Sequence, residues 1–421
     1  GYGPSIEGFK KLIKKGVKVI FTVDCGTLSF DAINYAKKNN IDVMVIDHHQ
    51  SEVKLPDAFS IINPNRLDDK SNLQYLCAAG VTFMFLVSIN RELRSNNWFN
   101  KNKINEPNLI NFLDLVSLGT VCDVVPLTGL NRAIVKQGLK IIQSKKNLGI
   151  KTLLSICNID TNPSTYHLGY MLGPRINAGG RVGKCSHGAN LLLDKDPKNS
   201  FKLASELDQF NKERQILEKD LLQKILNKTK NYLKDPVLIL SGSNWHEVVI
   251  GIVAARLKDK FNKPTILISF DGNIGKASAR SIVGFDIGSV IIAASHKNIL
   301  LKGGGHKMAG GFSIKLENIE KFRKFIFKKF ESINENLKIE KPLLVDSIIS
   351  PSAVNIEFYK KVALLSPFGS GNPEPKFVIE DLKTINGKIV GQNHIKSVLI
   401  GKDGTTIKSI AFNSLEKDIS T

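Results

Sequence analysis

The stretch that most constrains this chain is an apolar run ending in an acid and two adjacent histidines. Residues 43–46 are Val-Met-Val-Ile, and Asp47, His48 and His49 follow directly. The run is short, rich in β-branched residues and bounded by polar ones, which predicts a buried parallel strand rather than a helix. Open α/β sheets bind ligands at the carboxyl ends of their strands. A carboxylate beside two imidazoles there suits a divalent cation such as Mn²⁺, and a strand end capped by solvated polar residues is the alternative.

The bulk composition indicates a globular protein with a polyanionic partner. A length of 421 residues suffices for two to four domains, and 42% hydrophobic with 23% charged residues excludes a disordered chain. The longest apolar stretch, residues 77–89, is shorter than the ~20 residues that span a bilayer, and no secretory signal is recognisable. The net charge of +20 favours a nucleic acid partner, although a Lys-rich proteome would produce the same excess.

The cysteines indicate the redox state of the compartment, and the first residues indicate whether the sequence is a fragment. The five cysteines are scattered and form no CxxC pair, so no disulfide framework or zinc site is predicted and a reducing cytoplasm is expected. The chain opens on Gly1-Tyr2-Gly3-Pro4 without an initiator Met, which suggests a fragment whose start lies upstream.

Alternating strand and helix patterns predict a parallel α/β domain at the amino-terminal end. Strand, helix and strand are predicted in succession over residues 17–23, 31–39 and 41–46. This alternation indicates a right-handed βαβ crossover, so Asp24 and Asp47 would end neighbouring strands and face one crevice. A third acid, Asp123, is predicted in a loop after a hydrophobic helix.

Four further regions are recognisable along the chain. Helices are predicted over residues 78–94, 108–118 and 131–143, and an unusual Gly- and Arg-rich loop over residues 168–183. A long amphipathic helix over residues 200–233 is either an interdomain strut or an ordinary surface helix. A smaller α/β domain follows, with strands at 237–240, 265–270 and 312–314 and helices at 249–260 and 319–329. Short strands at 377–382, 388–390, 395–400 and 406–412, separated by the turn signals Asn386-Gly387 and Asp403-Gly404, predict a small β-barrel or sandwich cut short at Thr421.

The three acids and the histidine pair form a candidate metal-binding set. Phosphodiester hydrolysis requires that charge on the phosphoryl oxygens be neutralised, a water activated and the leaving oxygen stabilised. Two cations ~3.5–4 Å apart, bridged by a carboxylate, do all three. Such a site normally needs more than three acids and one or two histidines, so this set is one ligand group short.

Three further segments have the composition of phosphate-binding loops. Residues 303–311 are rich in glycine, which lets backbone N–H groups approach an anion, and His306 would add a charged donor. A Gly-rich turn with no ligand remains the alternative. Residues 173–181 and 278–281 hold arginines among small residues, and guanidinium groups bind phosphate bidentately. A lone Arg in such a loop is more often a surface charge.

In this order the motifs resemble those of the DHH phosphoesterase superfamily, and within it the RecJ-type single-strand-specific exonucleases. The matching segments are residues 1–3, 23–26, 46–49, 62–65, 119–127, 172–181, 245–252, 278–281 and 303–311. They run in family order over essentially the whole chain. One Asp-His-His triplet would be weak evidence, whereas nine co-linear motifs are specific.

The resemblance implies a two-metal 5′→3′ exonuclease that digests single-stranded DNA with Mn²⁺ or Mg²⁺, in DNA repair and recombination. Metal ligands or their immediate supports would be Asp24, Asp47, His48 and Asp123, with His49 near the scissile phosphate. The residues expected to contact substrate phosphates are Arg175, Asn177, Arg181, Ser278, Arg280, Gly304, Gly305 and His306. Single-stranded DNA, a single-strand-binding protein and a helicase are the implied partners of a monomeric, cytoplasmic protein without a membrane segment.

The implied architecture is α/β with four parts. They are a truncated parallel-sheet DHH domain over residues 1–199, a connecting helix over 200–235, a second smaller α/β domain over 236–335, and a partial C-terminal OB-like β-barrel over 341–421. The family's first motif, an Asp-x-Asp-Gly-type strand end with two metal-binding acids, would lie before Gly1, so both ions are expected only in the complete protein. Cys25 stands where an Asn is usual, and Ala279 where a Gly is usual.

Two other functions remain open at this point. One is a DHH phosphoesterase that acts on short oligonucleotides or small phosphodiesters. The long helix and the terminal β region argue against it, because compact members of the superfamily lack both. The other is a catalytically inactive scaffold that binds single-stranded DNA, against which the joint presence of all three acids and His48 argues.

Overall fold

The computed structural model describes residues 3–180, 185–229, 232–334, 343–391 and 393–415. The chain divides into two compact units. The first unit comprises Gly1–Asn147, Ile159–Gly173 and Leu343–Thr421, and the second comprises Leu148–Asn158 and Pro174–Pro342. No helix in the described part of the chain has both the length and the apolar character needed to cross a membrane.

The first unit begins with alternating helices and strands and continues with helices. Its elements up to residue 147 are α1 (Ile6–Lys14), β1 (Val19–Val23), α2 (Phe30–Lys38), β2 (Asp42–Ile46), β3 (Ser60–Ile62), α3 (Ala78–Ser95), α4 (Trp98–Lys101), α5 (Leu113–Cys122) and α6 (Gly129–Gln143). The second unit starts at α7 (Leu148–Ile156), and a π-helical turn at His167–Leu172 belongs again to the first.

The remaining elements follow in the same chain order. They are α8 (Gly173–Gly179), α9 (His187–Leu193), α10 (Pro197–Thr229), β4 (Leu238–Ser243), α11 (Glu247–Phe261), β5 (Thr265–Asp271), β6 (Ile274–Arg280), α12 (Ile287–His296), β7 (Lys302–His306), β8 (Ala309–Lys315), α13 (Ile319–Asn334), β9 (Ser347–Ile348), α14 (Ile356–Ala363), β10 (Phe377–Val378), β11 (Lys383–Val390), β12 (His394–Ile400) and β13 (Thr406–Ala411).

The predicted parallel sheet at the amino-terminal end is confirmed. Strands β1, β2 and β3 pair in that order and all in parallel. Buried Ile20, Val43 and Val45 pack with apolar residues of α1 and α2 on one face, as the alternation of strand and helix predicted. Val23 pairs with Ile46, so the residues that follow them leave the sheet side by side.

The helix before Asp123 begins later than predicted. Residues 109–112 form a 3₁₀ turn, and α5 itself runs to Cys122. Asp123 is therefore the C-cap of a buried helix rather than part of a loop, and its backbone N–H donates to the Gly119 carbonyl. The sequence interpretation ended the helix at residue 118 because Gly119 is a poor helix former, but packing against α6 outweighs that preference.

The contact between α5 and α6 depends on a glycine. A Cβ added at Gly138 would lie 1.8 Å from Ser117 Oγ and 2.2 Å from the Leu113 carbonyl oxygen. We expect Gly138→Ala to lower the free energy of unfolding by at least the ~1–3 kcal/mol typical of overpacked cores, measured by urea denaturation. Gly387→Ala is the control, because an added Cβ there would meet open space among the described residues. Equal stability of the two variants would contradict this packing.

The second unit is built on a five-stranded mixed sheet in the order β4-β5-β6-β8-β7. Only β4 and β5 pair in parallel. Two predicted loops are wrong: residues 278–280 end β6, and residues 303–311 form the β7–β8 hairpin. Their glycines, serines and alanines have low strand propensity, so pairing with neighbouring strands rather than local preference makes them strands.

The Gly- and Arg-rich loop predicted over residues 168–183 is also wrong where the chain is described. The π-helical turn and α8 occupy residues 167–179. The long helix is confirmed as α10, which packs against α7, α9 and α11 within the second unit. Within the described residues, helix α10 runs from Pro197 to Thr229, and residues 230 and 231, just before the predicted end at 233, lie outside them.

The carboxyl-terminal β region consists of short strands, as predicted. Strands β11, β12 and β13 form an antiparallel sheet, and β9 pairs in parallel with β10. The turn at Asp403-Gly404 is confirmed between β12 and β13, with Gly404 at φ 78°. The turn predicted at Asn386-Gly387 is wrong, because both residues lie inside β11 where its register with β12 shifts.

Candidate metal centre

The loop after β1 brings its residues onto the end of β2. Asp24 follows β1 directly at φ 60°, and its backbone N–H donates to the Ile46 carbonyl at 3.0 Å. Gly26 has φ 121°, and a Cβ there would lie 2.5 Å from Thr22 Oγ1. Only glycine fits this turn without strain. The turn places Thr27 beside Asp47.

Asp47 is 1% exposed, and its carboxylate accepts five hydrogen bonds. The donors are Thr27 N at 3.0 Å, Thr27 Oγ1 at 2.7 Å, His48 N at 2.8 Å, His49 N at 3.2 Å and His49 Nδ1 at 2.7 Å. Burial alone would raise the pKa of Asp47, but the bonds from His49 and Thr27 outweigh it and hold the pKa well below its ordinary value. The ionised carboxylate therefore orients the backbone of both histidines and the ring of His49.

The ring of His48 is oriented by a backbone carbonyl. His48 Nδ1 lies 3.1 Å from the carbonyl oxygen of Leu76. A carbonyl oxygen only accepts, so Nδ1 carries the hydrogen and Nε2 of the neutral ring has a free lone pair. Metal-binding histidines are commonly held in this way, with the second ring nitrogen donating to a carbonyl or carboxylate.

Two carboxylates face the Nε2 atom of His48. Asp24 Oδ1 lies 3.3 Å and Asp123 Oδ2 lies 3.5 Å from it. The bond to Asp24 is the main cause that raises the pKa of His48, and burial is the main cause that raises the pKa of Asp123. The two shifts have different meanings: Asp24 stabilises positive charge on the His48 ring, whereas the shift of Asp123 reflects the cost of burying a carboxylate.

The cluster has the composition of a divalent-cation site. Asp24, His48 and His49 each offer a ligand atom, and these atoms lie within 4.8 Å of one another. Asp123 joins them through its contact with His48. Two carboxylates and an imidazole nitrogen make a mixed O/N donor set, which suits Mn²⁺ or Mg²⁺. The residues present therefore fit the cation that the sequence predicted.

Two asparagines support the cluster from the segment after β3. Asn63 Nδ2 donates to Thr27 Oγ1 and to the His49 carbonyl, both at 2.8 Å. Asn65 Nδ2 donates to the His48 carbonyl at 2.6 Å. Residues 62–65 resemble a family motif, but no role for Asn63 or Asn65 was predicted from the sequence. None was predicted for Thr27 or Leu76 either.

Five of the predicted phosphate-binding residues of the second unit fall on β6 and β7, the two strands that flank β8. Ser278 and Gly304 both pair with Gly311, and Arg280 and His306 both pair with Ala309. Paired residues and residues two apart share a face of a sheet. Ser278, Arg280, Gly304 and His306 therefore lie on one face, while Gly305, one residue along β7, is directed to the other.

A glycine in α11 allows that helix to pack closely against the face of the sheet that carries Ser278 and Arg280. A Cβ added at Gly251 in α11 would lie 2.9 Å from Ser278 Oγ and 3.0 Å from Arg280 Nη2. Arg280 Nη1 donates to Ser278 Oγ at 3.1 Å and to the Ala279 carbonyl at 2.8 Å. These bonds fix the guanidinium beside the serine hydroxyl, which is a geometry that can bind a phosphate.

The other predicted phosphate contacts are placed differently. Arg175 in α8 donates from Nε to Asp208 Oδ1 at 2.8 Å, so a carboxylate already binds its guanidinium. Asn177 in the same helix is exposed. Arg181 lies outside the described residues.

Comparison with known proteins places three regions of the chain in families. Residues 4–120 match the DHH family, N-terminal domain; residues 216–332 match the DHHA1 domain; and residues 345–420 match the RecJ OB domain. The parallel sheet with Asp-His-His at the carboxyl end of its central strand, the mixed sheet that follows and these family matches together define a DHH-type phosphoesterase.

Similarity to individual proteins identifies the family within this class. The chain is 34% identical to the single-stranded-DNA-specific exonuclease RecJ of Haemophilus influenzae, over 98% of this chain and 74% of that one. The Escherichia coli RecJ is also 34% identical, over 98% of this chain and 73% of the relative. A crystal structure of Thermus thermophilus RecJ in complex with Mn²⁺ matches with a TM-score of 0.79 and 26% identity. The match covers 96% of this chain and 58% of that one. This chain belongs to the RecJ family of DHH proteins.

Proposed function

We propose that this chain is a single-stranded-DNA-specific 5′→3′ exonuclease that hydrolyses phosphodiester bonds with Mn²⁺ or Mg²⁺. The proposal rests on the orientation of His48. Its Nδ1 donates to the Leu76 carbonyl, while its Nε2 faces Asp24 and Asp123. The names of the relatives support the substrate and the reaction. Thermus thermophilus RecJ structures with Mn²⁺ and with Mg²⁺ support the choice of cation.

The residues of the cluster divide into those that bind and those that position. Asp24, His48 and Asp123 would hold the cation, while Asp47 would act as a positioning residue because its five hydrogen bonds engage both of its oxygens. A bound divalent cation neutralises charge on the phosphoryl oxygens and activates the attacking water. Asp47 raises the pKa of His49 by accepting from its Nδ1, so a protonated His49 would donate to the scissile phosphate.

The sheet of the second unit would bind the end of the strand. Arg280, Ser278 and His306 share one face of β6 and β7, and their donors suit a terminal 5′ phosphate. We extend the proposal to backbone contacts by Arg175, Asn177 and Arg181, of which Arg175 would have to share its guanidinium with Asp208.

The wider setting follows from the family. We propose a monomeric cytoplasmic enzyme of DNA repair and recombination that works with a helicase and a single-strand-binding protein. We also propose the domain division 1–199, 200–235, 236–335 and 341–421. The family matches at 4–120, 216–332 and 345–420 support three domains in this order, and the second match begins within the proposed connecting helix.

A strand-degradation assay tests the proposal. With Mn²⁺ and DNA labelled at its 3′ end, we expect digestion of single strands but not of blunt duplex, and a preference for 5′-phosphorylated over 5′-hydroxyl ends. Arg280→Gln should lower that preference about 10- to 100-fold, as loss of a charged hydrogen bond does. Arg91→Gln, an exposed arginine of α3, is the control. Faster cleavage of dinucleotides than of long strands would favour the small-substrate phosphoesterase instead.

A further inference from the structure

An aromatic cavity lies in the first unit beside the candidate metal centre. Its volume is ≈ 650 Å³, and its lining comes from the segment around Asp123, from the π-helical turn and from α14 with the loop after it. Pockets that enclose a small organic ligand measure ~300–1,000 Å³. The cavity is therefore large enough for a nucleobase with its sugar.

Three of the chain's seven tyrosines line this aromatic cavity: Tyr166, Tyr170 and Tyr359. They are 60%, 74% and 63% exposed, although aromatic side chains in a folded protein usually bury most of their surface. The rings of Tyr166 and Tyr170 are 5.2 Å apart and inclined by 31°. Tyr166 directly precedes the π-helical turn at His167–Leu172 and Tyr170 lies within it, and such turns are frequent at functional sites.

The walls of the aromatic cavity are fixed by direct hydrogen bonds. Leu127 N donates to the Ser370 carbonyl at 2.6 Å, and Thr165 Oγ1 donates to the Phe368 carbonyl at 2.6 Å. Arg132 Nη2 donates to the Leu365 carbonyl at 2.6 Å. The loop after α14 is thereby joined to both other walls, so the cavity is formed before any ligand binds.

The aromatic cavity lies next to Asp123 of the candidate metal centre, and this position indicates which part of the substrate it can bind. Cys122 and Val124 line it, and they are the two neighbours of Asp123 in the chain. Val124, a β-branched residue, is held at φ 59°, a strained conformation that proteins retain mainly at functional positions. A molecule in the cavity would therefore lie next to the phosphate that the metal centre cleaves.

We propose that the aromatic cavity binds an unpaired nucleobase of the DNA strand, from a nucleotide adjacent to the cleaved bond. Bases stack on tyrosine rings irrespective of sequence, because every base has a π-face. The carboxylate of Glu374 and the hydroxyls of Ser164 and Ser370 also line the cavity and can bond to the polar edge of the base. A paired base cannot enter without leaving its duplex, so this subsite would select single strands. The inference rests on the exonuclease function proposed above.

Abasic interference on the wild-type protein tests the subsite. A 5′-phosphorylated oligonucleotide carries one abasic nucleotide, moved along the strand, and its affinity is measured in EDTA so that the strand stays intact. We expect one or two adjacent positions at which the missing base weakens binding about 5- to 100-fold, the effect of one stacked base. All other positions beyond the 5′ end should change the affinity little.

Variants then connect that position to the tyrosines. Tyr170→Ala and Tyr166→Ala should weaken binding of the intact strand by the same factor and remove the effect of the sensitive abasic position. Tyr170→Phe and Tyr166→Phe, which keep the ring, should retain both. Phe59→Ala is the control, because Phe59 is 70% exposed at the opposite, amino-terminal end of β3. Unchanged thermal unfolding confirms that each variant is folded.

The outcomes separate the inference from the function on which it rests. A wild-type protein that binds and digests single strands but shows a flat abasic profile overturns the base subsite alone. Alanine variants that keep the wild-type profile overturn it equally. A protein that binds no single-stranded DNA contradicts the proposed function, and the subsite with it.

Discussion

Replacing His48 with alanine is expected to lower the affinity for Mn²⁺ by more than ~100-fold. Loss of a residue that merely supports a metal ligand costs 10- to 100-fold, and His48 would be a ligand, with Nε2 between Asp24 and Asp123. Asp123→Asn should have a similar effect, because it removes the negative charge on the same side. The free Mn²⁺ signal in an electron paramagnetic resonance titration measures the affinity directly.

The control for this prediction is another histidine. His296 is exposed at the end of α12, and His296→Ala should bind Mn²⁺ as the wild type does. The circular dichroism spectrum of His48→Ala should be unchanged, since its ring makes one hydrogen bond to the protein backbone. Wild-type Mn²⁺ affinity in a folded His48→Ala protein would exclude His48 as a ligand.

Replacing Asp47 with asparagine is expected to reduce both stability and metal affinity. The carboxylate accepts five hydrogen bonds, and an amide in its place must direct its NH₂ group at some of those donors. Hydrogen bonds to a charged group contribute ~1.5–3 kcal/mol each, so we expect unfolding to become easier by about 3 kcal/mol in urea. The affinity for Mn²⁺ should fall ~10- to 100-fold, because the orientation of both histidines is disturbed.

The pH dependence of stability provides a second readout for Asp47. Its pKa is depressed in the folded protein, so its stabilising effect is complete above the ordinary carboxyl pKa of ~4 and is lost as the pH falls below that value. Asp47→Asn should therefore lose less stability between neutral pH and pH ~3 than the wild type. Asp57→Asn, an exposed acid paired with Lys37, is the control and should keep the wild-type profile. Identical profiles for wild type and Asp47→Asn would contradict the account.

The sequence predicted the part of the site that depends on strand ends. Short β-branched runs followed by acids identify Asp24 and Asp47, and a parallel sheet necessarily brings its carboxyl ends to one edge. The carbonyl of Leu76 was not predictable, because its contact with His48 joins a backbone atom to a residue 28 positions earlier. Sequence patterns report which side chains are present, not which carbonyl the fold places beside them.

In the second unit the motif residues were identified from the sequence, but their secondary structure was not. Ser278, Arg280 and the 303–311 glycines were recognised as a motif, yet their strands were predicted as loops because small residues carry no strand periodicity. The pairing of Arg175 with Asp208 joins residues 33 positions apart, so it too was hidden. Tyr166 and Tyr170 had a local signal, a Tyr-x-x-x-Tyr spacing, but only the surrounding walls show that their rings line a cavity.

The central claim is that Asp24, His48 and Asp123 form a metal site of a single-strand exonuclease. A crystal of the chain soaked in Mn²⁺ and measured near the manganese absorption edge tests it most directly. We expect an anomalous peak ~2.0–2.3 Å from His48 Nε2 and from carboxylate oxygens of Asp24 and Asp123. A peak elsewhere, with these three side chains still in contact only with one another, would contradict it.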